Sequence, residues 1–537
     1  MVGNNGAHRS LRALTAIAPN TVQEAPSSQA WVQTVEIPAP TLEDNTAFAE
    51  RLCKQLEKPM GGRKISLDME ALRSLPAILR TGEGAMECTL FGQGAEAVLI
   101  DVRPLGKRPR PGLAVDLGTT RVVLRLVDMV TGQHLGEVSF DNPQGQVGPD
   151  ILARIHYAGT AGGLEELQGL ITQSITQEAA ALAQSCGLSK KDILCVAVAG
   201  NTAMTHLLLG ADPHWMIREP YTPMINSPGF LKCADLGLDF AKAARVYVFP
   251  NVGSYFGGDL LAGILSSNMY CKEEVSILVD VGTNAEVVVG NRDWLMACAG
   301  AAGPALEGGV TAMGMLAGPG AIEKVRIDPI TRDFTFQTIG GGKPVGICGS
   351  GVIDLAAQLF LAGMIDLRGK LLPSACQGRL TEQDEILALV IVPASQSGNG
   401  HDLLFSQVDL DSLVRSKAAM YTILRTLTNT VGLAFSDLAE FNIAGTFGSY
   451  IDPVSAITIG MIPDLPLSRY KALGNTSLEG ATQILLHRQA VDYVKDIREK
   501  ITYMELNVNQ EFMNRFSAAK FIPHTNPALF PSVVIPR

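Results

Sequence analysis

Two acidic glycine turns carry the residues most suited to chemistry: Asp-Leu-Gly-Thr-Thr at 116–120 and Asp-Val-Gly-Thr-Asn at 280–284, which begin 164 residues apart (280 − 116). Each follows an apolar run and precedes a β-branched run, so each predicts a β-hairpin with an acid at the mouth of its turn. Glycine lets backbone N–H groups converge on an anion, and Thr and Asn side chains add donors. The spacing therefore predicts two phosphate-binding loops.

The two carboxylates suit a cation better than a phosphate, because like charges repel. We expect Asp116 and Asp280 to hold Mg²⁺, which would bridge to the β- and γ-phosphates of ATP. A single such turn is commonly only a tight hairpin, but two copies with the same flanks indicate two similar halves. The predicted phosphate contacts are Gly118, Thr119, Thr120, Gly282, Thr283 and Asn284.

A third glycine turn follows an apolar strand late in the chain, at 441–448 (Phe-Asn-Ile-Ala-Gly-Thr-Phe-Gly). Glycines there would let backbone approach a flat ligand closely. Two Asp loops followed by an Ala-Gly-x-x-Gly turn resemble the actin-like ATPase superfamily, in which the late turn is the adenosine motif. The resemblance implies adenosine contacts from Gly445, Thr446, Phe447 and Gly448. No Gly-x-x-x-x-Gly-Lys-Ser/Thr run occurs, which excludes a P-loop.

Composition narrows the class of protein. The chain has 537 residues, 47% hydrophobic and 18% charged, with a formal net charge of −10. The negative charge argues against nucleic acid as the main partner. The longest apolar stretch, 355–365, is shorter than the roughly 20 residues that cross a bilayer, and the N-terminus lacks the apolar core of a secretory signal. We therefore expect no membrane association and a cytoplasmic protein.

Nine cysteines are scattered, with the closest pair, Cys186 and Cys195, nine positions apart. No C-x-x-C or other cluster-binding spacing occurs, so we expect no iron–sulfur cluster. The scattered cysteines are predicted to be buried or free thiols. Cys348 is the candidate exception, because it lies in a glycine-rich turn. The histidines show no metal-ligand pairing, and His524 is predicted to be structural.

The chain is predicted to be α/β, with two actin-like (ribonuclease H-like) ATPase subdomains around a nucleotide cleft and a small α+β domain before them. Composition predicts disorder for 1–37. The small domain and a Pro-rich linker follow at 38–110, the first ATPase subdomain at 111–274, and the second, with the adenosine motif and the C-terminal segment, at 275–537. Apolar spacing predicts helices at 163–186 and 476–500.

Several stretches resemble one family more closely: the reductive activators of corrinoid proteins, ATP-dependent enzymes that rescue inactive Co(II) corrinoids. The resemblance covers roughly 38–535. It rests on Asn-Pro-Gln at 142–144, Gly-Pro-Asp-Ile at 148–151, Ala-Gly-Asn-Thr-Ala-Met at 199–204, Ala-Gly-Pro-Ala-Leu-Glu-Gly-Gly at 302–309, Gly-Ile-Cys-Gly-Ser-Gly at 346–351, Gly-Asn-Thr-Ser-Leu-Glu-Gly-Ala at 474–481 and Phe-Ile-Pro-His-Thr at 521–525.

The resemblance implies ATP-dependent reduction of Co(II) to Co(I) in the corrinoid protein of a methyltransferase system, and a homodimer is compatible with it. Members of the family usually carry an iron–sulfur domain, whereas this chain has no cluster-binding cysteine set. We therefore expect a separate low-potential electron donor.

In this family-based interpretation Asp259, after two glycines, is the predicted base for water attack, with Asp150 as second choice. An Asp in this position also suits a helix N-cap. Two alternative functions stay open. One is a small-molecule kinase of the sugar-kinase type, with Asp150 or Asp259 serving a hydroxyl acceptor. The other is a non-redox, ATP-driven regulatory or chaperone module, against which the retention of Asp116 and Asp280 argues.

Overall fold

A computed structural model describes residues 30–80, 85–92, 94–106, 108–282, 285–300, 311–376, 378–383, 385–445, 451–504, 506 and 510–536. These residues form two compact units. One unit runs to Ser266 and also includes Ser477–Glu499; the other comprises Ser267–Thr476 and the chain from Lys500 onward. The chain therefore passes between the units three times.

The first unit begins with a small domain whose strands lie in the order β1-β3-β4-β2, with β2 and β4 parallel and the other pairs antiparallel. Two helices accompany this sheet. The elements are β1 (Val32–Glu36), α1 (Phe48–Glu57), β2 (Lys64–Leu67), α2 (Met69–Arg80), β3 (Ala85–Phe91) and β4 (Glu96–Pro104).

Strand β1 lies inside the segment for which composition predicts disorder. The neighbouring Trp31 explains the difference, because its ring is fully buried and meets Phe91 edge-on at 5.0 Å. Its indole N–H donates to the carbonyl of Ile484 at 2.7 Å. A buried tryptophan whose N–H is hydrogen-bonded is a strong local anchor. The average composition of the segment, on which the prediction of disorder rests, does not reveal the contacts of one such residue.

The remainder of the first unit contains a sheet in the order β7-β6-β5-β8-β10-β9 among the described residues. Strands β7, β6 and β5 form an antiparallel meander, and β8 and β10 continue it in parallel. The elements are β5 (Pro111–Leu117), β6 (Arg121–Asp128), β7 (His134–Asp141), α3 (Ile151–Ala158), α4 (Gly163–Ser185), β8 (Cys195–Gly200), α5 (Thr202–Leu209), β9 (Gly229–Lys232), β10 (Arg245–Val248) and α6 (Gly258–Ser267).

The second unit repeats this order. Its largest described sheet runs β21-β20-β11-β12-β13-β22, with β11, β12 and β13 antiparallel and β20 and β21 added in parallel. The elements are β11 (Ser276–Val281), β12 (Ala285–Gly290), β13 (Leu295–Gly300), β14 (Ala321–Ile327), β15 (Phe334–Thr338), β16 (Gly346–Ile347), α7 (Gly349–Leu361), β17 (Leu380–Gln383), β18 (Ile386–Val392), β19 (Leu403–Ser406), α8 (Gln407–Thr430), β20 (Glu440–Ala444), α9 (Pro453–Thr458), β21 (Tyr470–Gly474), β22 (Ile501–Tyr503) and α12 (Gln510–Ala519). Between β21 and β22 the chain forms α10 (Thr476–Leu486) and α11 (Gln489–Lys500), which belong almost entirely to the first unit.

Both sheets therefore place an antiparallel hairpin at their centre and add parallel strands beside its first strand. The hairpins are β5–β6 and β11–β12, which are the two predicted from the acidic glycine turns. The prediction of two similar actin-like halves is confirmed by this repeated order.

The helix predicted at 476–500 is divided in the structure. Helix α10 ends at Leu486, and α11 begins at Gln489. Between them the buried Arg488 directs its guanidinium to the carbonyl of Pro59 at 2.6 Å. Both helices pack on the first unit, and at Gly480 the approach is so close that a Cβ would lie 2.4 Å from the carbonyl oxygen of Ala262 on α6.

Candidate functional site

The first acidic turn joins β5 to β6, and Leu117 pairs with Val122 as the last residues of the ladder. Asp116 is half-buried at the end of β5 and lies beside Ala199 of the parallel strand β8. A Cβ on Gly118 would lie 2.4 Å from the carbonyl oxygen of Arg121, so only glycine fits this turn. Thr119 is half-buried and Thr120 is exposed.

Asn142, which is 4% exposed, holds the backbone of this turn. Its side-chain amide donates to the carbonyl of Gly118 at 2.9 Å, and its own N–H donates to the carbonyl of Thr120 at 2.8 Å. Its Oδ1 accepts from the N–H of Gln144 at 3.0 Å. The backbone of the turn is thereby held in place by a residue 24 positions further along the chain.

Asn201 holds the side chain of Thr119. Its Nδ2 donates to the Thr119 hydroxyl at 2.9 Å, while its Oδ1 accepts from the N–H of Met204 at 2.9 Å and so caps α5. Close packing supports this geometry, since a Cβ on Gly257 would lie 2.3 Å from the Cα of Asn201.

Asp259 lies in the first turn of α6, and its Oδ1 accepts from the N–H of Leu260 at 2.9 Å. Burial raises the pKa of this carboxyl to about 6; the Leu260 N–H opposes the shift, and the charge of Asp116 adds to it. Asp116 and Asp259 therefore interact electrostatically within the first unit. A carboxyl with a pKa near neutrality can accept a proton from water at physiological pH.

Asp150, the second-choice base, is exposed and caps α3 by accepting from the N–H of Ala153 at 2.8 Å. This is an ordinary N-cap. Nearby Arg154 is 1% exposed; its Nε donates to the carbonyl of Gly148 at 2.8 Å and its Nη1 to Gln144 Oε1 at 3.4 Å. Burial lowers the pKa of the Arg154 guanidinium, an effect that Asp150 opposes. Arg154 thus supports the turn that carries Asn142.

The second acidic turn follows β11, where Asp280 pairs with Glu286 of β12 and with Ala444 of the parallel strand β20. Gly445 has φ = 85°, and a Cβ there would lie 3.0 Å from Asp280 Oδ1 and 3.1 Å from the carbonyl oxygen of Val281. The structure therefore brings the start of the predicted adenosine turn into contact with the second acidic turn.

The other predicted contacts of this half lie outside the described residues: Thr283, Asn284, Thr446, Phe447 and Gly448. Gly282 is described and half-buried. Asp116 and Asp280 are both half-buried, so each carboxylate combines an oxygen donor with access to ligand. Mg²⁺ is usually bound by one or two carboxylates together with substrate phosphates, and each of these side chains, taken within its own unit, is of that chemical type.

Cys348 is buried, with its thiol donating to the carbonyl of Ile322 at 3.3 Å and lying 3.2 Å from the Ser350 hydroxyl. Within the described ranges, no group of three or more His, Cys, Asp or Glu side chains is arranged to hold a metal ion. In the same part of the chain, every helix is too short or too polar to cross a membrane.

Sequence reasoning assigned no individual role in the site to Asn142, Asn201 or Arg154. All three lie within or beside stretches that resemble the corrinoid activators, but their roles depend on contacts with distant residues. The available signal was positional: Asn142 and Asn201 each follow the end of a strand and precede a turn or helix, where an asparagine caps backbone N–H groups.

Three family models match successive parts of the chain. They are described as the RACo linker region at residues 25–108, the RACo middle region at 111–272, and the C-terminal domain of RACo, the ASKHA domain, at 274–534. The last of these, with the repeated sheet order, defines an actin-like ATPase fold.

Similar proteins agree with the family models. The chain is 31% identical over 428 residues to the corrinoid activation enzyme RamQ of Eubacterium limosum, covering 78% of this chain and 72% of that protein. It is 25% identical over 435 residues to the Co(II) methylated amine-specific corrinoid protein reductase of Methanosarcina barkeri, with 75% of each covered.

A solved structure of a reductive activator for corrinoid, iron–sulfur protein superimposes with a TM-score of 0.85 and 38% identity, covering 96% of this chain and 82% of that one. The chain therefore belongs to the family of reductive activators of corrinoid proteins, as its motifs predict.

Proposed function

We propose that this protein uses ATP to drive the one-electron reduction of a Co(II) corrinoid protein to Co(I), with the electron supplied by a separate low-potential donor. ATP and water become ADP and phosphate, and the donor loses the electron that the cobalt gains. The observation that carries the proposal is the acidic hairpin that each half contains: Asn142 and Asn201 hold the first acidic turn, and Gly445 lies against Asp280 in the second. The relatives' named activities supply the substrate class.

In this proposal Asp116 and Asp280 hold Mg²⁺, which supplies charge neutralisation at the phosphates. Gly118, Thr119 and Thr120 contact the phosphates from one hairpin, and Gly282, Thr283 and Asn284 from the other. The turn from Gly445 through Thr446 and Phe447 to Gly448 borders the adenosine. Asp259 accepts the proton of the attacking water, since burial raises its pKa toward neutrality.

ATP binding can promote reduction only if the protein binds two states of its partner with different affinities. A corrinoid state in which cobalt has lost an axial ligand is easier to reduce, so preferential binding of that state would favour electron transfer. For a one-electron step, about 59 mV corresponds to a tenfold change in equilibrium. Each tenfold difference in affinity between the two states therefore raises the effective potential of the cobalt by about 59 mV.

The test uses the full chain, ATP, Mg²⁺, a chemical reductant and the Co(II) corrinoid protein of a methylamine methyltransferase system. We expect visible spectra to show ATP-dependent conversion to Co(I). Asp280→Asn should slow this conversion by about 100-fold or more, the scale on which loss of one electrostatic group acts on a transition state, while thermal unfolding stays near that of the parent. Asp293→Asn, which removes an exposed carboxylate of the same unit paired with Arg292, is the matched control.

Two results would contradict the proposal. If Asp280→Asn reduces the corrinoid at the parent rate, the second acidic turn does not hold the metal. If ATP is consumed with a sugar or other polyol and never with the corrinoid protein, the small-molecule kinase function is correct instead.

A further inference from the structure

We propose that Asn201 is a positioning residue that fixes the Thr119 hydroxyl as a hydrogen-bond donor toward the phosphates of ATP. The inference rests on the proposed ATP binding at the first acidic turn. It assigns to Asn201 a role in setting the polarity of one ligand contact, in addition to its capping of α5.

The orientation of the Asn201 amide follows from its partners. Its oxygen accepts from the N–H of Met204 at 2.9 Å, a contact that an NH₂ group cannot make. The NH₂ group must therefore face the Thr119 hydroxyl, which lies 2.9 Å away. Exchanging oxygen and nitrogen would break the helix cap, so the hydrogen-bond network determines the assignment.

This orientation determines what Thr119 can do. The NH₂ group of Asn201 carries only hydrogens toward Thr119, so the Thr119 oxygen accepts from it. A threonine hydroxyl has one hydrogen and two lone pairs. Its single hydrogen is therefore directed away from Asn201 and is available to donate to a further partner, beside the one lone pair that remains.

The backbone of the turn has the same polarity. The carbonyl of Gly118 accepts from the side chain of Asn142 at 2.9 Å. Because a trans peptide places C=O and N–H on opposite sides, the N–H of Thr119 is directed away from Asn142. The two asparagines thus leave the Thr119 N–H and O–H directed away from their own amide groups, an arrangement in which both can donate to a phosphate oxygen.

The experiment is a double-mutant cycle on ATP affinity. Asn201→Ser keeps a neutral cap for α5 but removes the amide donor, so its Kd for ATP should rise about 5- to 10-fold, as for loss of one neutral hydrogen bond. Thr119→Val should cause a similar rise, and Thr119→Ser should stay near the parent. In the Thr119→Val background, Asn201→Ser should cause no further rise, because the hydroxyl through which it acts is gone.

Asn201→Asp tests the polarity itself. A carboxylate still caps α5, but it accepts the Thr119 hydrogen and turns the hydroxyl into an acceptor. We expect a larger loss of affinity than for Asn201→Ser. The part of that loss due to reversed polarity should disappear in Thr119→Val, whereas simple charge repulsion would persist there.

Asn526→Ser is the control for exchanging a capping asparagine, because Asn526 is exposed and its Oδ1 accepts from the N–H of Ala528 in the other unit. If the parent and Asn526→Ser both fail to bind ATP, the proposed function fails. If both bind ATP but Asn201→Ser has the parent Kd, or its effect adds fully to that of Thr119→Val, the positioning role is wrong and the proposed function stands.

Discussion

At the scale of single residues, the site is built from groups whose partners fix their direction before any ligand arrives. The amide of Asn201 is committed at both ends, to Met204 and to Thr119. Asn142 is likewise committed to Gly118 and Gln144. Such preorganisation removes the cost of orienting dipoles during the reaction.

The residue-scale prediction concerns Asp259. Asp259→Asn should lower the kcat for ATP hydrolysis by about 100-fold with little change in KM, because the loss of a general base affects the transition state. In the parent, kcat should rise with pH as Asp259 ionises, since burial raises its pKa to about 6. A bound cation would lower this pKa, and the rise in kcat would then occur at lower pH. Steady-state assays between pH 5 and 8 measure both effects.

Asp150 is the contrasting carboxylate, because it is exposed and caps α3. Asp150→Asn keeps the cap of α3, because asparagine accepts from the Ala153 N–H as aspartate does. We expect its pH profile to match that of the parent. Loss of turnover in Asp150→Asn with normal turnover in Asp259→Asn would transfer the role of base to Asp150.

The chemistry-bearing residues were predictable to different degrees. Asp116 and Gly118 could be found because an acid before a glycine turn, with apolar flanks, is a local pattern. For Asn142 and Asn201 the sequence indicates a cap but not the contact with the acidic turn, because that second hydrogen bond goes to a residue 24 or 82 positions away. The pKa of Asp259 likewise depends on burial, which only the folded chain defines.

At the scale of elements, a neutral histidine ties one loop to α5. His206 is fully buried; its Nδ1 lies 2.7 Å from the carbonyl of Thr202, and its Nε2 accepts from the N–H groups of Met224 and Ile225 at 3.1 and 3.4 Å. Burial lowers the pKa of His206, although the bond to Thr202 opposes this. The neutral ring is therefore the form that the fold requires.

We predict that this tie is lost in acid. A histidine whose pKa is depressed on folding contributes stability above its unfolded pKa, about 6.5, and that stability falls as pH drops through and below this value. Protonation would also place an N–H against the two donors of Met224 and Ile225. Hydrogen exchange corrected for intrinsic rates should accelerate at these two amides between pH 7.5 and 5.5. The Met204 amide, bonded to the non-titrating Asn201, should not change, and equal protection of all three at pH 5.5 would contradict the prediction.

A second element-scale prediction concerns the crossing of α6 and α10. Gly480→Ala would place a Cβ 2.4 Å from the carbonyl oxygen of Ala262, so the helices must separate. We expect a loss of about 1–3 kcal/mol in the free energy of unfolding, typical of overpacking. Gly169→Ala, where the nearest atom would be 3.7 Å away on helix α4, should instead stabilise by about 0.5–1 kcal/mol. Urea denaturation of both variants measures the opposite signs.

Element bounds were predicted well where one periodic pattern covers the whole element. Helix α4 is predicted at 163–186 and observed at Gly163–Ser185. The helix predicted at 476–500 contains a break that periodicity does not reveal, because Arg488 leaves the helical path to bond with Pro59, far away in sequence.

At the scale of the whole molecule, the first unit is discontinuous in sequence. Helix α10 and most of α11 belong to it, although they follow nearly all of the second unit. The contacts span the unit: Glu479 with Arg125 at 2.9 Å, Ile484 with Trp31 at 2.7 Å, and Asp492 with Arg63 at 2.9 Å. The sequence predicts one division of the ATPase halves, at residue 275, and so does not assign the two late helices to the first unit. The predicted limits of the domains stay a prediction.

We predict that a fragment of residues 30–266 is not stably folded, because it lacks the helices that cover Trp31 and the α6 surface. Joining residues 477–499 to it through a flexible Gly/Ser linker should restore a cooperative thermal transition and near-ultraviolet circular dichroism. A fusion to residues 407–430, another amphipathic helical segment of similar length, is the control. A cooperative transition in the unfused fragment would show that the late helices are dispensable.

This discontinuity also sets the timing of folding on the ribosome. After Ser266 has been synthesised, a further 233 residues (499 − 266) must be added before Glu499 completes the first unit. At about 5–20 residues per second, the wait is roughly 12–47 s. We expect the nascent chain to expose, during that interval, the apolar surface that its late segment covers in the folded unit, and so to be bound by chaperones that recognise emerging chains.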